Sequence, residues 1–476
     1  MKRDKYYFIV AIFLISFASS TSIWSQSFTK DVFVNRRQIL MEKIKDGIAV
    51  FQNYGYSKRT NDTYYYPFRS NSNFYYLSGF EEPDAAFLLI PGEEKKFIMF
   101  VKPKNAMSSM WYGEVPGIEG AMQIYGADTA YALNRFSEVL QYYLQGKKKI
   151  YYDIQNEELG KVINVAPEQA FDVNDFVYEM RVIKDSTEIK LIRKAVEISC
   201  KAHLEAMKAI QPGMFEYEIA AIFSYIFETN GSHSKAYESL VSAGVNSTIY
   251  HYSSLTGKAE DGDMVLMDMG AEFNNYASDI TRVVPANGKF TKEQREIYEI
   301  ALAMHDAVIA NMKPGNTLRE CSKISEEIAK ERLFKLGLIT DRNTDWQHYL
   351  FYYPFIGHPI GLDVHDVGLD NIYSKDSPPL EPGMVFAIEP SVEIGENLVD
   401  AFRIYVAKKF SISKEEIDSF LKEIKPVFEK YKKIGVYVED DILITGNGNE
   451  VLSADLPRTV TEIEKVMSEK SFLNRE

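Results

Sequence analysis

The amino-acid sequence predicts an α+β protein with a mixed α/β N-terminal domain and a larger C-terminal domain built from a duplicated α+β unit. Three observations predict this fold class. The first part of the chain alternates short apolar strands with helical stretches, and long amphipathic helices begin near residue 185. From there, one order of features occurs twice: helix, Pro-Gly, helix, glycine, strand with histidine, then glycine and an acid. We therefore expect two related sheets around a pseudo-two-fold axis.

The bulk composition is that of a folded protein with about two domains. The chain has 476 residues, of which 46% are hydrophobic and 26% charged. Its net charge is −14 and it has no dense Lys/Arg run, so we expect no nucleic-acid partner. Cys200 and Cys321 are the only cysteines, which excludes a disulfide framework. A single bridge between them stays possible, but both lie in helical patterns, which favours buried free thiols.

The N-terminus has the three-part layout of a secretory signal peptide. A basic start at residues 1–5 precedes an apolar run at residues 8–18, and small and polar residues follow up to Ser27. We predict a signal peptide over residues 1–25 and export to the periplasm or the extracellular space. Because the apolar run is too short to span a bilayer comfortably, no stable membrane insertion is expected after cleavage, and an uncleaved anchor is the alternative.

The N-terminal domain is placed at residues 28–175. Its predicted strands are residues 47–52, 86–90, 96–101 and 149–152, with a helix at residues 129–145. The turn at Pro91-Gly92 joins the second and third strands as a hairpin. None of the seven histidines lies in this domain, so it offers no acid–histidine cluster.

The C-terminal domain is placed at residues 185–470 and contains both copies of the repeated order. The predicted helices are residues 185–210 and 215–229 in the first copy and residues 291–312 and 318–335 in the second. Strand-like segments follow each pair, in the first copy around residues 240–243 and around residues 249–252, which contain His251. Each copy also places an acid six residues after a glycine, at Asp268 and Glu389. The alternative is that Pro and Gly residues, which commonly end helices and strands, recur in this order by chance. Residues 401–434 fall outside the repeat and are predicted to form a surface insertion without chemistry.

Two acids lie on a predicted β-hairpin in the first copy. The apolar runs 264–273 and 277–284 flank a turn, and they carry Asp268 and Asp279. With a Phe273-Asn274 loop the two acids face each other directly, and with an Asn274-Asn275 loop they are diagonal neighbours; both registers put them on one face. Two buried carboxylates about 5 to 8 Å apart repel each other unless a cation lies between them. A divalent metal is the simplest solution.

Three further residues in apolar strands complete a candidate ligand set: His358, Glu389 and Glu439. Four carboxylates and one imidazole suit two ions such as Mn²⁺, Co²⁺ or Zn²⁺, about 3.5–4 Å apart. Such a pair lowers the pKa of a shared water, which indicates hydrolysis. Taken alone, an aspartate of this kind is more typical of a solvated position on a hairpin, and a histidine of a hydrogen-bonded position in the core. The other histidines are interpreted as structural (His203, His305, His348) or left undecided (His233).

Several motifs together resemble the aminopeptidase P and prolidase branch of the pita-bread metallopeptidases. Residues 66–80 resemble the aminopeptidase P N-terminal domain; Asp268, residues 278–282, 358–366, 381–390 and 439–441 resemble the catalytic domain. The resemblance covers nearly the whole mature chain. It implies an aminopeptidase P N-terminal domain at residues 28–175 and a pita-bread catalytic domain at residues 185–470.

The resemblance also implies a role for each site residue. Asp279 and Glu439 would bridge two metal ions, Asp268 would complete one ion, and His358 with Glu389 the other. Glu389 would also handle the proton of the attacking water, while His251 and His365 would contact substrate and stabilise the oxyanion. The implied substrate is a peptide with proline in the second position, and the implied cofactor is two divalent ions, foremost Mn²⁺.

Three positions depart from the family pattern. Pro354 stands where a histidine is common, Phe355 where a small residue is usual, and Tyr437 where arginine is common. None is an implied metal ligand, so these departures bear on substrate affinity or turnover. An Xaa-Pro dipeptidase (prolidase) and a weakly active or non-catalytic peptide-binding protein of the same fold are the alternatives. A homo-oligomer is left open.

Overall fold

The computed structural model describes residues 28–61, 64–368 and 370–474, and the predicted signal peptide lies outside them. The chain forms two compact units, the first ending at Val173 and the second beginning at Asn174. Within the described residues, no helix is both long enough and apolar enough to cross a membrane. Cys200 and Cys321 are free.

The N-terminal unit is built on a six-stranded mixed sheet. Its strands are β1 (Ile48–Gln52), β2 (Ala86–Leu89), β3 (Phe97–Val101), β4 (Thr129–Ala132), β5 (Ile150–Tyr152) and β6 (Ala170–Asp172), in the order β4-β3-β2-β1-β5-β6. Its helices are α1 (Lys30–Lys43), α2 (Ser72–Ser78), α3 (Ala106–Tyr112), α4 (Gly117–Gln123), α5 (Phe136–Leu144) and α6 (Glu157–Ile163). The predicted hairpin is confirmed, because β2 and β3 pair antiparallel with Leu89 opposite Phe97.

The helix predicted at residues 129–145 is wrong in its first part. Residues Thr129–Ala132 form β4, which pairs in parallel with β3, and the α-helix begins only at Phe136. Thr129 and Tyr131 favour extended backbone, and β4 occupies what would otherwise be an open edge of β3.

The C-terminal unit repeats a pair of long helices. After α7 (Asn174–Val182) the helices are α8 (Ser186–Ala209), α9 (Glu216–Thr229), α10 (Lys292–Asn311), α11 (Leu318–Leu336), α12 (Glu396–Phe410), α13 (Lys414–Tyr431) and α14 (Val460–Met467). The predicted capping boxes at Asp185 and Thr291 are confirmed, each with reciprocal side-chain and backbone hydrogen bonds. Gly337 ends α11 in the left-handed conformation with φ of 77°, which glycine adopts without steric cost.

Each long-helix pair is followed by strands that carry the predicted ligands. The strands are β7 (Ser234–Lys235), β8 (Leu240–Ala243), β9 (Met264–Asp268), β10 (Ala271–Phe273), β11 (Tyr276–Ala277), β12 (Thr281–Pro285), β13 (Gly357–Pro359), β14 (Val385–Ile388), β15 (Ser391–Ile394), β16 (Ile434–Tyr437), β17 (Asp440–Thr445) and β18 (Gly448–Val451). They form the sheets β12-β9-β8, β13-β14-β17-β18, β11-β10-β7 and β15-β16. Asp268 ends β9, His358 lies on β13, and Glu389 directly follows β14.

The strand predicted around His251 is wrong. Residues Gly244–Thr248 form a 3₁₀ helix, and His251 has a left-handed φ of 53° in the turn after it. The side chains of Ser247 and Thr248 donate to the carbonyls of Gly244 and Val245, and such local bonds compete with strand pairing.

The insertion predicted at residues 401–434 is a pair of helices, α12 and α13. Helix α13 buries Ile417, Phe420, Ile424 and Tyr431. The Tyr431 hydroxyl donates to Glu296 on α10 at 2.6 Å, and Phe420 packs edge-on against Trp346. Helix α13 is therefore anchored to the rest of the C-terminal unit.

Candidate metal centre and active site

The structure brings all the predicted site residues together around one cavity. This metal-site cavity has a volume of about 250 Å³. The predicted residues lining it are His251, Asp268, Asp279, His358, His365, Glu389 and Glu439. Acids and histidines from both copies of the repeat thus share a single site.

The hairpin adopts the second of its two predicted registers. Asn274 and Asn275 both have positive φ, 49° and 67°, as a two-residue type I′ turn requires. Thr281 lies opposite Asp268, so Asp279 is the diagonal neighbour of Asp268. Gly270 lies between β9, which pairs with β12, and β10, which pairs with β11. A Cβ at this residue would lie 1.8 Å from the carbonyl oxygen of Ser278. The close strand approach that places Asp279 therefore requires glycine.

The donor atoms of Asp279, His358 and Glu439 form the centre of the cluster, all within 4.8 Å of one another. His358 Nε2 lies 3.4 Å from Asp279 Oδ2 and 3.7 Å from Glu389 Oε1. The other ring nitrogen, Nδ1, lies 3.0 Å from the carbonyl oxygen of Pro359. A carbonyl can only accept, so Nδ1 carries the proton and the Nε2 lone pair faces the cluster, as metal ligation needs.

The carboxylates of the cluster destabilise one another in their charged forms. Burial raises the pKa of Glu389 to about 7, and burial together with Asp279 raises the pKa values of Asp268 and Glu439. Although burial opposes protonation of His358, Asp279 and Glu389 raise its pKa. An oxygen-rich, mutually repelling set with one available imidazole fits divalent cations, which would hold every acid in its charged form.

Tyr237 is a further member of the site, which the sequence pattern does not indicate. Its hydroxyl lies 2.6 Å from Asp268 Oδ1 and 2.5 Å from Asp279 Oδ1. The single hydroxyl proton can be donated to only one of these two oxygens. The close approach of both carboxylates to Tyr237 therefore requires a further proton or a cation. Tyr237 is one of 31 tyrosines and follows a two-residue strand, so no sequence pattern distinguishes it.

A second layer of hydrogen bonds orients the predicted ligands. Thr281 donates its hydroxyl proton to Glu439 Oε2 at 2.6 Å, and Asp441 accepts from the backbone N–H of Asp279 at 3.1 Å. The buried Arg282 donates to the carbonyl oxygen of Glu439 at 2.6 Å. These partners belong to the 278–282 and 439–441 motifs, whose individual roles the sequence did not reveal.

The two predicted substrate-side histidines lie at the rim of the cavity. His251 and His365 are both exposed, and the His365 ring meets the His358 ring edge-on at 4.2 Å between centroids. Partial burial, followed by the charge of His358, lowers the pKa of His365. A neutral imidazole at the rim can still donate one hydrogen bond to a substrate oxygen.

The loop that carries His365 is held by a buried ion cluster. Asp366 pairs with Arg181 and with Lys184, whose Nζ lies 3.0 Å from Asp366 Oδ2. All three side chains are at most 3% exposed. Arg181 also reaches the partly exposed Asp363 at 2.7 Å.

Two of the family departures lie against the site. The Phe355 ring stacks beside His358 at 6.4 Å between centroids, and Tyr437 packs edge-on against Tyr250 at 5.9 Å. Pro354 accepts a hydrogen bond from Ser322 through its carbonyl oxygen at 2.8 Å. The departures therefore change the cavity surroundings while the five predicted metal ligands are retained.

The chain is similar to known proteins over nearly its whole length. Residues 190–446 match metallopeptidase family M24, and residues 33–151 match the aminopeptidase P N-terminal domain. It is 34% identical to a Xaa-Pro aminopeptidase of Haemophilus influenzae, with 92% of this chain and 97% of the relative covered. A Xaa-Pro aminopeptidase of Escherichia coli is 32% identical, with 92% and 98% covered. The solved structure of Pseudomonas aeruginosa aminopeptidase PepP has a TM-score of 0.80 at 31% identity and covers 93% of this chain and 98% of that one. The predicted fold class is thereby confirmed.

Proposed function

The chain belongs to metallopeptidase family M24 and carries an aminopeptidase P N-terminal domain, and from this premise we propose that it is a metal-dependent Xaa-Pro aminopeptidase. It hydrolyses the peptide bond between an N-terminal residue and a proline in second position. The single observation that carries the proposal is the convergence of the acids and histidines of both repeats on one cavity of about 250 Å³.

The side chains divide the work according to their positions. Asp268, Asp279, His358, Glu389 and Glu439 would hold two divalent ions, and these ions would supply a water of lowered pKa and polarise the scissile carbonyl. Glu389, whose side chain is 20% exposed at the cavity, takes the proton from the attacking water and passes it to the proline nitrogen, which leaves as a secondary amine. His251 and His365 orient the substrate from the rim and donate to the developing oxyanion.

We propose Mn²⁺ as the native metal, with Co²⁺ and Zn²⁺ as alternatives. Four of the five ligands are carboxylates, a set that hard or borderline divalent ions prefer over thiolate-seeking ions. Metal analysis of protein purified without chelator tests this assignment, and a predominance of another ion would contradict it.

We also propose that the protein is exported through cleavage of the signal peptide at residues 1–25. Mass spectrometry of the N-terminus from the producing cells tests this. A mature chain beginning near Gln26 supports export, and an intact Met1 contradicts it. Homo-oligomerisation stays open, and light scattering of the purified protein is the measurement that decides it.

A panel of three peptides tests the activity. The mature protein with Mn²⁺ is incubated with Ala-Pro, Ala-Pro-Ala and Ala-Ala-Ala, and release of alanine is measured. Cleavage of the proline tripeptide supports an aminopeptidase, and cleavage of Ala-Pro alone would identify a dipeptidase. Absence of proline-dependent cleavage would refute the proposal.

A further inference from the structure

The turn that presents His251 to the metal-site cavity depends on contacts with other segments. His251 has a left-handed φ of 53°, which is unfavourable for a residue with a side chain. Residues 249–257 form neither a helix nor a strand, and the His251 side chain is exposed. Neither the backbone of the turn nor the packing of the imidazole therefore keeps His251 at the rim of the cavity.

Tyr250, the residue directly before His251, makes such a contact. Its hydroxyl donates to Glu393 Oε2 at 2.8 Å, across 143 residues of the chain. Its ring meets the Tyr437 ring at 88° and lies 6.4 Å from the Tyr353 ring between centroids. Tyr250 follows the first pair of long helices and Glu393 follows the second, so this hydrogen bond joins the two halves of the C-terminal unit.

Glu393 is a rigidly held acceptor. It lies on β15 opposite Gly435 on β16, and it is only 1% exposed. Its backbone N–H donates to the carbonyl oxygen of Phe351 at 3.2 Å. The same pair of strands holds the chain before the turn, because the backbone N–H of Gly435 donates to Ser247 Oγ at 3.3 Å. The segment from Ser247 to Tyr250 is thus fixed at both ends.

We propose that Glu393 is a positioning residue for the reaction: by accepting the hydrogen bond from the Tyr250 hydroxyl, it fixes the turn that holds His251 against the substrate. The inference rests on the proposed function, in which His251 contacts the substrate. The contact at Ser247 lies four residues before His251, whereas Tyr250 adjoins it. Loss of the bond to Glu393 therefore frees His251 while the 3₁₀ helix before it stays in place.

Stability does not explain a carboxyl at position 393. Burial raises the pKa of Glu393 to about 7, although the side chains of Ser391, Tyr250 and Tyr437 lower it. A carboxyl whose folded pKa is raised costs stability as the pH rises above its unfolded pKa, and the full cost is reached above the folded pKa. An apolar side chain, with phenylalanine in place of Tyr250, would avoid this cost.

The test measures kcat and KM for Ala-Pro-Ala with the Mn²⁺-loaded mature protein. Tyr250→Phe, Glu393→Leu and the double variant all remove the same hydrogen bond. Each should lose kcat/KM by about tenfold or more, mainly through kcat, and the two single losses should not add in the double variant. Glu393→Gln keeps an acceptor for the Tyr250 hydroxyl and should stay within about threefold of wild type. Metal content should be unchanged in every variant.

Tyr225→Phe is the matched control for removal of a tyrosine hydroxyl. Tyr225 lies on α9, is 55% exposed and is absent from the cavity lining. Its loss of the hydroxyl should leave both kcat and KM at the wild-type values.

A second set of measurements separates positioning from structural support. In a His251→Ala background, Tyr250→Phe should cause no further loss of kcat/KM, because no imidazole is left to position. In urea unfolding above neutral pH, the double variant should be at least as stable as wild type, since both partners of the bond are replaced by apolar groups. Additive losses, a further loss in the His251→Ala background, or a less stable double variant would overturn the inference. Absence of proline-peptide cleavage by wild type would instead refute the proposed function.

Discussion

Asp366→Asn tests how the His365 loop is held. The substitution keeps the shape of the side chain but removes the charge that Arg181 and Lys184 share. Breaking a buried ion pair costs about 3–5 kcal/mol, and we expect about 3 kcal/mol because Arg181 retains Asp363 at 2.7 Å. The adjacent His365 should lose its position, so kcat/KM for the proline tripeptide should fall while metal content stays unchanged.

Urea unfolding followed by tryptophan fluorescence provides the measurement. Trp346, in the same unit, is 6% exposed and reports its unfolding, whereas Trp111 is 71% exposed and can be replaced by phenylalanine in all variants. Asp418→Asn is the control, since the Arg403–Asp418 pair is 28% and 46% exposed and is worth at most about 1 kcal/mol. A loss in Asp366→Asn no larger than in this control would refute the reasoning.

The pH dependence of that loss supplies an independent check. Burial opposes the charged form of Asp366, but Lys184 and Arg181 outweigh it and lower its pKa. A carboxylate with a lowered folded pKa contributes stability above its unfolded pKa and loses it as the pH falls through the folded pKa. The difference between wild type and Asp366→Asn should therefore shrink on acidification. A constant difference down to the folded pKa and below it would contradict the ion-pair explanation.

Four other predictions concern single residues. Tyr237→Phe removes the hydroxyl shared by Asp268 and Asp279 and should weaken Mn²⁺ binding or kcat/KM by about tenfold or more, measured by metal titration and kinetics; unchanged values would contradict its role. Glu389→Gln should lower kcat at least about a hundredfold with the fold retained by circular dichroism, and a smaller loss would exclude it as the proton carrier. Gly270→Ala places a methyl group 1.8 Å from Ser278 O and should abolish metal binding or folding, whereas Gly446→Ala, with open space around it, should do neither. Burial lowers the pKa of His203 to about 3, so stability falls on acidification below its unfolded pKa by up to about 1.4 kcal/mol per pH unit, and His203→Gln should flatten this slope in urea unfolding.

The sequence indicated the candidate metal ligands through an unusual contrast, whereas His251 and His365 were implied only by the family resemblance. Acids such as Asp268 and Glu439 interrupt otherwise apolar strands, and a buried charge needs a partner, so the pattern itself indicates a cation. The two hairpin registers could not be separated from sequence, because a shift of two residues keeps both acids on the same face. The turn at Asn274-Asn275 decides the register in the structure.

What the sequence did not reveal depends on contacts between distant segments. Tyr237 meets Asp279 across 42 residues, and Arg282 meets Glu439 across 157. Tyr237 does not stand out from its neighbours by polarity or spacing. Arg282 does interrupt an apolar strand, but its position alone does not identify a partner so far along the chain. Ile249 and Tyr250 favour extended backbone and so predict a strand at His251, whereas the side-chain bonds of Ser247 and Thr248 close a tight turn before them.

Titration of the metal-free mature protein tests the central claim most directly. The chelator-stripped protein is titrated with Mn²⁺, and the initial rates of Ala-Pro-Ala and Ala-Ala-Ala cleavage are followed together. We predict no cleavage without metal, activity that saturates near two ions per chain, and cleavage of the proline peptide alone. Failure of Mn²⁺, Co²⁺ and Zn²⁺ to produce any proline-dependent cleavage would contradict the assignment of this cavity as a dinuclear Xaa-Pro peptidase site.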